Sequence, residues 1–520
     1  MLLEAFLEHS ARDNPEKVAL VCGTHRHTYR DLEQQSNRLA HALMALGVER
    51  GDRVAICLDN CVEAVVAVFA ALKAGGVFVM VNPTTKSEKL GFILNNSEAR
   101  VLIAKGPKLD ELGGASSPLD HLSGAVQVGS APGSVALKAA RVALWTELLE
   151  QHSDRLLPPA KRCIDVDLAA LIYTSGSTGN PKGVMLTHLN MVAAATSITT
   201  YLENRADDVI LNVLPLSFDY GQYQVLMALK VGATLVLEKS FAYPHAVLQR
   251  MRDEGVTGFP IVPTMSAILL QMDLPSYRCP SLRYITNTGA ALPTEHIDGL
   301  RRSFPGVRLY SMFGLTECKR ISYLPPEELD RRPTSVGRAM PNVEVYLVDG
   351  QDRPVPAGEV GELVVRGSNV MRGYWKLPEE TDRALRPGPV AGERVLYTGD
   401  LFRMDSDGFL YWIGRRDDII KTRGEKVSPK EVEEVLYRLS GVGMAAVVGV
   451  PDPVLGQAVK AIIAPREGCE LTEQEVLRHC VRHLEDFMVP KQVEFRVTLP
   501  KTATGKIDRR QLALESGAGQ

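Results

Sequence analysis

The segment from Tyr173 to His188 reads YTSGSTGNPKGVMLTH. Small and hydroxylated residues let a backbone approach a ligand closely, and consecutive N–H groups in such a loop cradle phosphate oxygens. Ser175, Ser177 and Thr178 add hydroxyl donors, and Lys182 adds a positive charge. The run LAALIY (168–173) reads as a strand leading in, and a helix is expected to follow, an order suited to anions. This is not the GxxxxGK[ST] loop, because Gly183 rather than Ser or Thr follows Lys182. A Gly/Ser-rich run alone also serves as a flexible linker, but the Pro-Lys-Gly ending is hard to explain that way.

Three further segments carry chemistry of a matching kind. In YSMFGLTE (310–317) Phe313 offers a ring to stack on a base, Thr316 a hydroxyl for a phosphate, and Glu317 a carboxylate for Mg²⁺. The same octapeptide taken alone also reads as a helix N-terminus capped by Thr316. YTGD (397–400) puts Asp400 on a turn after a strand, where a carboxylate can accept from both hydroxyls of a ribose. Gly414-Arg415 offers a guanidinium for ribose or phosphate. Singly, these read as a turn aspartate and a surface arginine. PKTATGK (500–506) sets Lys506 after a glycine on an expected flexible loop, where a lone lysine is ordinarily solvated.

These residues must be positioned by a large frame. A chain of 520 residues is too long for one ordinary core, so two to four domains are expected. Residues 28–47 have apolar positions at helical spacing and stop at a glycine, RVAICL (53–58) reads as a buried strand, VEAVVAVFAALKAGG as a helix, and VFVMVNP as another strand. Repeated βα units imply mostly parallel sheet flanked by helices. Residues 106–140, rich in Gly, Ser, Ala and Pro, read as a surface excursion with little order. From about 335 to 413, short β-rich pieces (VEVYLVD, GELVVRG, FLYWIG) between turns describe a smaller β subdomain. After IGRRDD (413–418) a helix, two strands, a helix and a strand make a compact α+β unit of about 100 residues, with the boundary near 415–420.

Composition excludes several functions. A hydrophobic content of 45% with 23% charged residues is that of a soluble globular protein. A net charge of −3 leaves no basic excess for nucleic acid or an anionic membrane. Glu4 and Glu8 interrupt the N-terminus where a secretory signal needs a basic start and an apolar stretch, and the apolar runs are far short of a membrane span. The eight scattered cysteines form no CxxC pair or metal spacing, which implies reduced thiols in a cytoplasmic protein and supports neither zinc nor a disulfide framework.

Together and in this order, the phosphate loop, FGLTE, YTGD, IGRRDDIIKTRGEKVSPKEVEE and TGK resemble the adenylate-forming superfamily of acyl-CoA synthetases, peptide-synthetase adenylation domains and beetle luciferases. The resemblance runs from about residue 5 to 515. It implies an α/β fold, with an N-terminal domain (1–414) of parallel sheets, helices and a β subdomain, and a mobile α+β C-terminal lid (415–520). The implied reaction is ATP- and Mg²⁺-dependent adenylation of a carboxylic acid, followed by transfer to a thiol, coenzyme A or a carrier-protein phosphopantetheine. Thr174, Ser175, Gly176, Ser177, Thr178, Gly179 and Lys182 would wrap the β- and γ-phosphates, and Phe313 would pack on adenine. Thr316 and Glu317 would contact the α-phosphate and Mg²⁺, while Asp400 and Arg415 would hold the ribose. Lys506 would bridge the acid and the α-phosphate, Asp417 would be the hinge, and Gly424 would stand where the thiol approaches.

The implied acid pocket comprises Phe218, Asp219, Tyr223, Gly289, Met312 and Arg320. Phe218-Asp219 looks like the Phe-Asp pair with which amino-acid adenylation domains bind an α-ammonium group. A carboxylate in an otherwise apolar pocket needs a cation. Two candidates stand open: an amino-acid substrate's own ammonium, or Arg320 in the run Cys318-Lys319-Arg320 as an internal partner. The first would favour a carrier protein as acceptor.

Overall fold

The computed structural model describes residues 1–113, 119–129, 141–155, 163–174, 181–289, 291–416, 418–422, 425–452, 455–502 and 506–517. Two large sheets dominate. The first has nine strands in spatial order Arg338–Ala339, Ser322–Tyr323, Arg308–Phe313, Tyr284–Asn287, Gly258–Ile261, Val209–Asn212, Thr234–Leu237, Val18–Cys22 and His25–Thr28. Its six inner strands run parallel, and both edges are closed by antiparallel pairs. The second has eight strands, Gly373–Tyr374, Lys182–Thr187, Leu168–Thr174, Val77–Met80, Arg53–Cys57, Ala99–Lys105, Gly124–Val128 and Arg141–Leu144.

The apolar runs of the second sheet follow from its two covered faces. Val54, Ile56, Phe78 and Met80 point into the main core, whereas Ala55, Cys57, Val77 and Val79 point into a separate cluster under Leu90, Leu94 and Leu109. The main core joins both sheets through a layer of helices that includes Tyr29–Ala45, Val62–Lys73, His188–Tyr201 and Asp219–Val231. The first of these starts where Thr28 and Asp31 cap each other and ends before Gly47 at φ +89°, a left-handed stop.

The excursion expected over residues 106–140 is corrected over its described part. Gly106–Gly113 is a helix, and Gly124–Val128 is a buried strand paired with Ala99–Lys105 and Arg141–Leu144.

A five-stranded sheet of Val343–Val348, Val360–Gly367, Leu385–Pro387, Arg394–Met404 and Leu410–Arg415 forms the β subdomain. Beyond it, Ile420–Thr422, Glu425–Val427, Val442–Asp452, Gly456–Pro465 and Gln492–Phe495 make a separate sheet, packed with the helices Pro429–Tyr437, Glu473–His483 and Arg509–Glu515. Its two core clusters draw only on residues after 419. Among the described residues no helix is long and apolar enough to cross a membrane.

The site depends on one tight return. Strand Arg308–Phe313 leads into a loop that comes back as Ser322–Tyr323, with Ile321 N donating to Phe313 O at 2.9 Å. A Cβ at Gly314 would collide with the Lys319 carbonyl oxygen and lie 2.9 Å from Arg320 Cα. Gly314→Ala is therefore expected to cost roughly 2–3 kcal/mol, since backbone rather than a flexible side chain must move. Chemical denaturation of the purified variant measures it, and an unchanged midpoint would contradict the close approach.

Candidate active site

At the phosphate end, Thr174 closes the strand Leu168–Thr174 and pairs with Lys182, the first residue of the antiparallel strand Lys182–Thr187. Ser175, Gly176, Ser177, Thr178 and Gly179 lie outside the described residues. The helix expected to follow this segment is His188–Tyr201, and the strand Lys182–Thr187 runs between it and the loop. The reason is two-faced burial: Val184 and Leu186 enter the main core while Met185 packs on the other cluster. Positive charge here comes from a lysine rather than from a helix end.

Lys182 Nζ lies 2.7 Å from Glu380 Oε2 and 5.6 Å from the centre of the Tyr374 ring. The Lys182 hydrogen bond holds the Glu380 carboxyl below its ordinary range. Tyr374 in turn donates its hydroxyl to Glu317 Oε1 at 2.8 Å. Burial, then the Glu317 charge, pushes the Tyr374 phenol well above its ordinary value, so it stays a donor at neutral pH. Lys182, Glu380, Tyr374 and Glu317 thus form one linked set, with Thr316 half-buried beside Glu317. The alternative of a helix capped by Thr316 is overturned, because residues 308–313 are a strand and 314–320 a turn.

Phe313 packs edge-on to Phe402 with ring centroids 4.9 Å apart, which puts it two residues from Asp400. Asp400 does not sit on a turn, as expected from YTGD, but within the strand Arg394–Met404, opposite Arg415 in register. Gly399 at φ +70° and a register shift after Leu401 distort the strand on either side. Asp400 is buried; Trp412 Nε1 donates to Oδ1 at 3.0 Å, and Arg415 Nε forms an ion pair with the same oxygen at 3.1 Å. Oδ2 is buried without a hydrogen-bond partner among the described residues. A buried carboxylate oxygen left bare is costly, and it fits a ribose hydroxyl as the missing donor. Burial pushes the Asp400 carboxyl up to about 6 despite the Arg415 charge.

The acid end is assembled around Gly289, at φ +90°. A Cβ there would meet Lys506 Cε at 3.2 Å, Phe218 Cζ at 3.7 Å and Lys506 Nζ at 3.9 Å. Lys506, carried by the C-terminal unit, therefore ends on the floor of a cleft built by the N-terminal sheets. Water reaches the side chain, yet enough protein surrounds it that lost hydration holds the amine below the ordinary lysine value. The carboxylates of Asp219, Asp400 and Glu317 oppose that shift and the Arg415 charge adds to it.

Asp219, the first residue of helix Asp219–Val231, has its cation within the chain. That cation is Lys319, with Nζ 3.5 Å from Oδ2, and not Arg320 as expected. Lys319 reaches inward because its backbone is left-handed, φ +61°, and its ammonium lies 4.4 Å from the centre of the Tyr223 ring. Burial pushes it down to about 7 against the pull of Asp219. Tyr223 is fully buried, and Met312 Sδ lies 3.0 Å from the Tyr201 hydroxyl. Arg320 lies deeper, its guanidinium 5.2 Å from the centre of the Tyr220 ring.

Asp417 and Gly424 lie outside the described residues. Tyr374, Glu380, Trp412 and Lys319 were missed by the sequence reading. Lys319 had a signal in the Cys-Lys-Arg run, whereas Glu380 stands 198 residues from Lys182 and had none.

Asp400 yields a test with two signs. Its folded pKa stands above its unfolded value, so the free protein loses stability as pH rises from about 4 to about 6 and carries the whole cost at neutral pH. Asp400→Asn should raise the ligand-free Tm at pH 7, with the gain vanishing below about pH 4. It should also weaken ATP binding by roughly 10–100-fold. Calorimetry reads both, and undiminished affinity would remove Asp400 from the nucleotide site.

Comparison with known proteins agrees with this geometry. The family model described as AMP-binding enzyme matches residues 7–375, and that described as AMP-binding enzyme C-terminal domain matches 431–506. A long-chain-fatty-acid–CoA ligase of Bacillus subtilis is 31% identical, over 99% of this chain and 94% of its own length. A linear gramicidin synthase of Brevibacillus parabrevis is 30% identical over 97% of this chain but only 6% of its own length. The crystal structure of the anthranilate CoA ligase AuaEII in complex with anthranoyl-AMP superposes with a TM-score of 0.89 at 28% identity, covering 100% of this chain and 98% of that one. With both family models matched in order and a complete likeness in fold, the chain belongs to the AMP-binding enzyme family and is an AMP-forming acid–thiol ligase of the acyl-CoA synthetase type.

Proposed function

We propose that the protein uses ATP and Mg²⁺ to adenylate a small carboxylic acid and passes the acyl group to coenzyme A. The observation that carries this reading is the convergence of Lys506 and Phe218 on Gly289, beside the buried Asp400 with its bare oxygen. In the first half-reaction a carboxylate oxygen of the acid bonds to the α-phosphorus of ATP, and the bond to the bridging oxygen of pyrophosphate breaks. Both partners are anions, so the work is to hold them in line and neutralise the charge that spreads. Lys506 stands for the carboxylate and α-phosphate, and Lys182 for the outer phosphates, exchanging Glu380 for them. Glu317 would hold Mg²⁺, which supplies further charge neutralisation on the phosphates; one carboxylate plus phosphate oxygens is an ordinary Mg²⁺ set. No general base is needed, because the nucleophile is already ionised. In the second half a thiol attacks the mixed anhydride and AMP leaves.

The domains in this reading are 1–414 and 415–520, hinged at Asp417, and the lid turns to carry Lys506 away and bring Gly424 beside the thiol. Transfer to a carrier protein is the competing acceptor, which the partial likeness to the gramicidin synthase supports. The Asp219–Lys319 pair weighs against it, because Asp219 does not need a substrate ammonium. Acid-dependent pyrophosphate exchange, followed by AMP release with and without coenzyme A, tests the proposal. Release that does not respond to coenzyme A would overturn the acceptor.

Two variants separate the halves. Lys506→Ala should cost roughly 3–4 kcal/mol, on the order of 10²–10³ in adenylation rate, while thioester formation from supplied acyl-AMP survives. Equal loss of both halves would refute its role. Asp417→Pro, which fixes φ near −65°, should spare pyrophosphate exchange and abolish thioester output. Both rates falling together, or neither, would move the hinge elsewhere.

A further inference from the structure

Among the described residues Arg320 is the largest fully buried side chain, 2% exposed. It is permanently charged and carries five N–H donors. Among the described residues no carboxylate lies within ion-pair distance of it, and its Nε is buried without a hydrogen-bond partner. What surrounds it is aromatic: Tyr220 at 5.2 Å, the Tyr201 hydroxyl, to which the guanidinium hydrogen-bonds, and Tyr223 within its field. The neighbouring carboxylate of Asp219 is engaged by Lys319 at 3.5 Å, which leaves Arg320 without a carboxylate of its own. An uncompensated buried charge costs several kcal/mol, and spare donors without acceptors mark the place of an absent acceptor.

We propose that the acid activated here carries a second anionic group, a carboxylate at the end remote from the reacting one, and that Arg320 receives it. This rests on the ligase reading above and names its substrate class. Lys506 and Gly289 hold the reacting end, and the far carboxylate reaches past the Asp219–Lys319 pair to Arg320, whose planar fork matches its geometry. A monoacid of the same length leaves Arg320 uncompensated and is discriminated against, because the missing partner is a charge rather than a methylene.

The experiment measures acid-dependent pyrophosphate exchange with straight-chain diacids and monoacids of matched length, for the wild-type protein, Arg320→Met and Arg320→Lys. The wild type should prefer a diacid over its monoacid by ~10²-fold or more in kcat/KM. Arg320→Met should lower diacid use ~10²-fold while changing monoacid use far less, collapsing the preference, and Arg320→Lys should keep part of it. Without nucleotide, a diacid should raise the Tm of the wild type but not of Arg320→Met. The ligand-free Tm of Arg320→Met should be equal to or above that of the wild type, because a charge without a partner has been removed. Monoacids used as well as diacids, or a variant that loses both acids equally with a lowered Tm, would overturn the proposal and make Arg320 a packing residue. Absence of exchange with every acid, alongside a diacid-dependent Tm shift that needs Arg320, would sustain the diacid site and overturn the ligase reading instead.

Discussion

In the proposed adenylation two anions have to be brought together at one point, and one of the cations assigned to it belongs to a different folding unit. Lys506 is attached to the small sheet after residue 419, yet its ammonium ends beside Gly289 in the cleft of the large sheets. Every other feature of the site can be ordered around that contact. Gly289 has no side chain because Lys506 and Phe218 occupy the space where one would be. Asp219, Asp400 and Glu317 all act on Lys506, and they arrive from three different elements: a helix start, a distorted strand and a tight turn.

The cleft is also nearly self-compensated before any ligand arrives. Lys182 is held by Glu380, Glu317 by the Tyr374 hydroxyl, Asp400 Oδ1 by Arg415 and Trp412, and Asp219 by Lys319. Such internal partners keep charged side chains in place in a region of reduced hydration, which is what preorganisation requires. Two atoms of charged groups escape this arrangement, Asp400 Oδ2 and Arg320 Nε. In the proposed reading they lie at opposite functional ends, one an acceptor at the nucleotide site and the other a donor at the acid site. A ligand that satisfies both would be an acid adenylate with a distal anion.

How much of this was legible depended on whether the information was local. The helix Tyr29–Ala45 was readable because its cap, its apolar spacing and its terminal glycine all lie within twenty residues. Strands Arg53–Cys57 and Val77–Met80 were readable because burial on both faces makes them continuously apolar. The candidate site residues stood out as motifs, since a phosphate loop or a ribose carboxylate needs particular residues close in sequence. What failed was pairing. Lys319 and Arg320 are adjacent, and the choice of partner for Asp219 rests on a left-handed φ at Lys319 that the turn after Gly314 imposes. Asp400 looked like a turn residue because TGD favours turns, and only the pairing with Leu410–Arg415 holds it in a strand. The strand Gly124–Val128 was hidden by a Gly/Ser-rich neighbourhood whose composition outweighed five buried residues.

In the proposed reading the lid works twice, and the balance on Lys506 bears on how it could. Lost hydration opposes the charged amine beside Gly289, and the carboxylates of Asp219, Asp400 and Glu317 favour it. A ligand moves a two-state element only through a difference in its interaction with the two positions. In the proposed sequence the departure of pyrophosphate would supply such a difference, because it takes anionic charge away from Lys506 and Lys182.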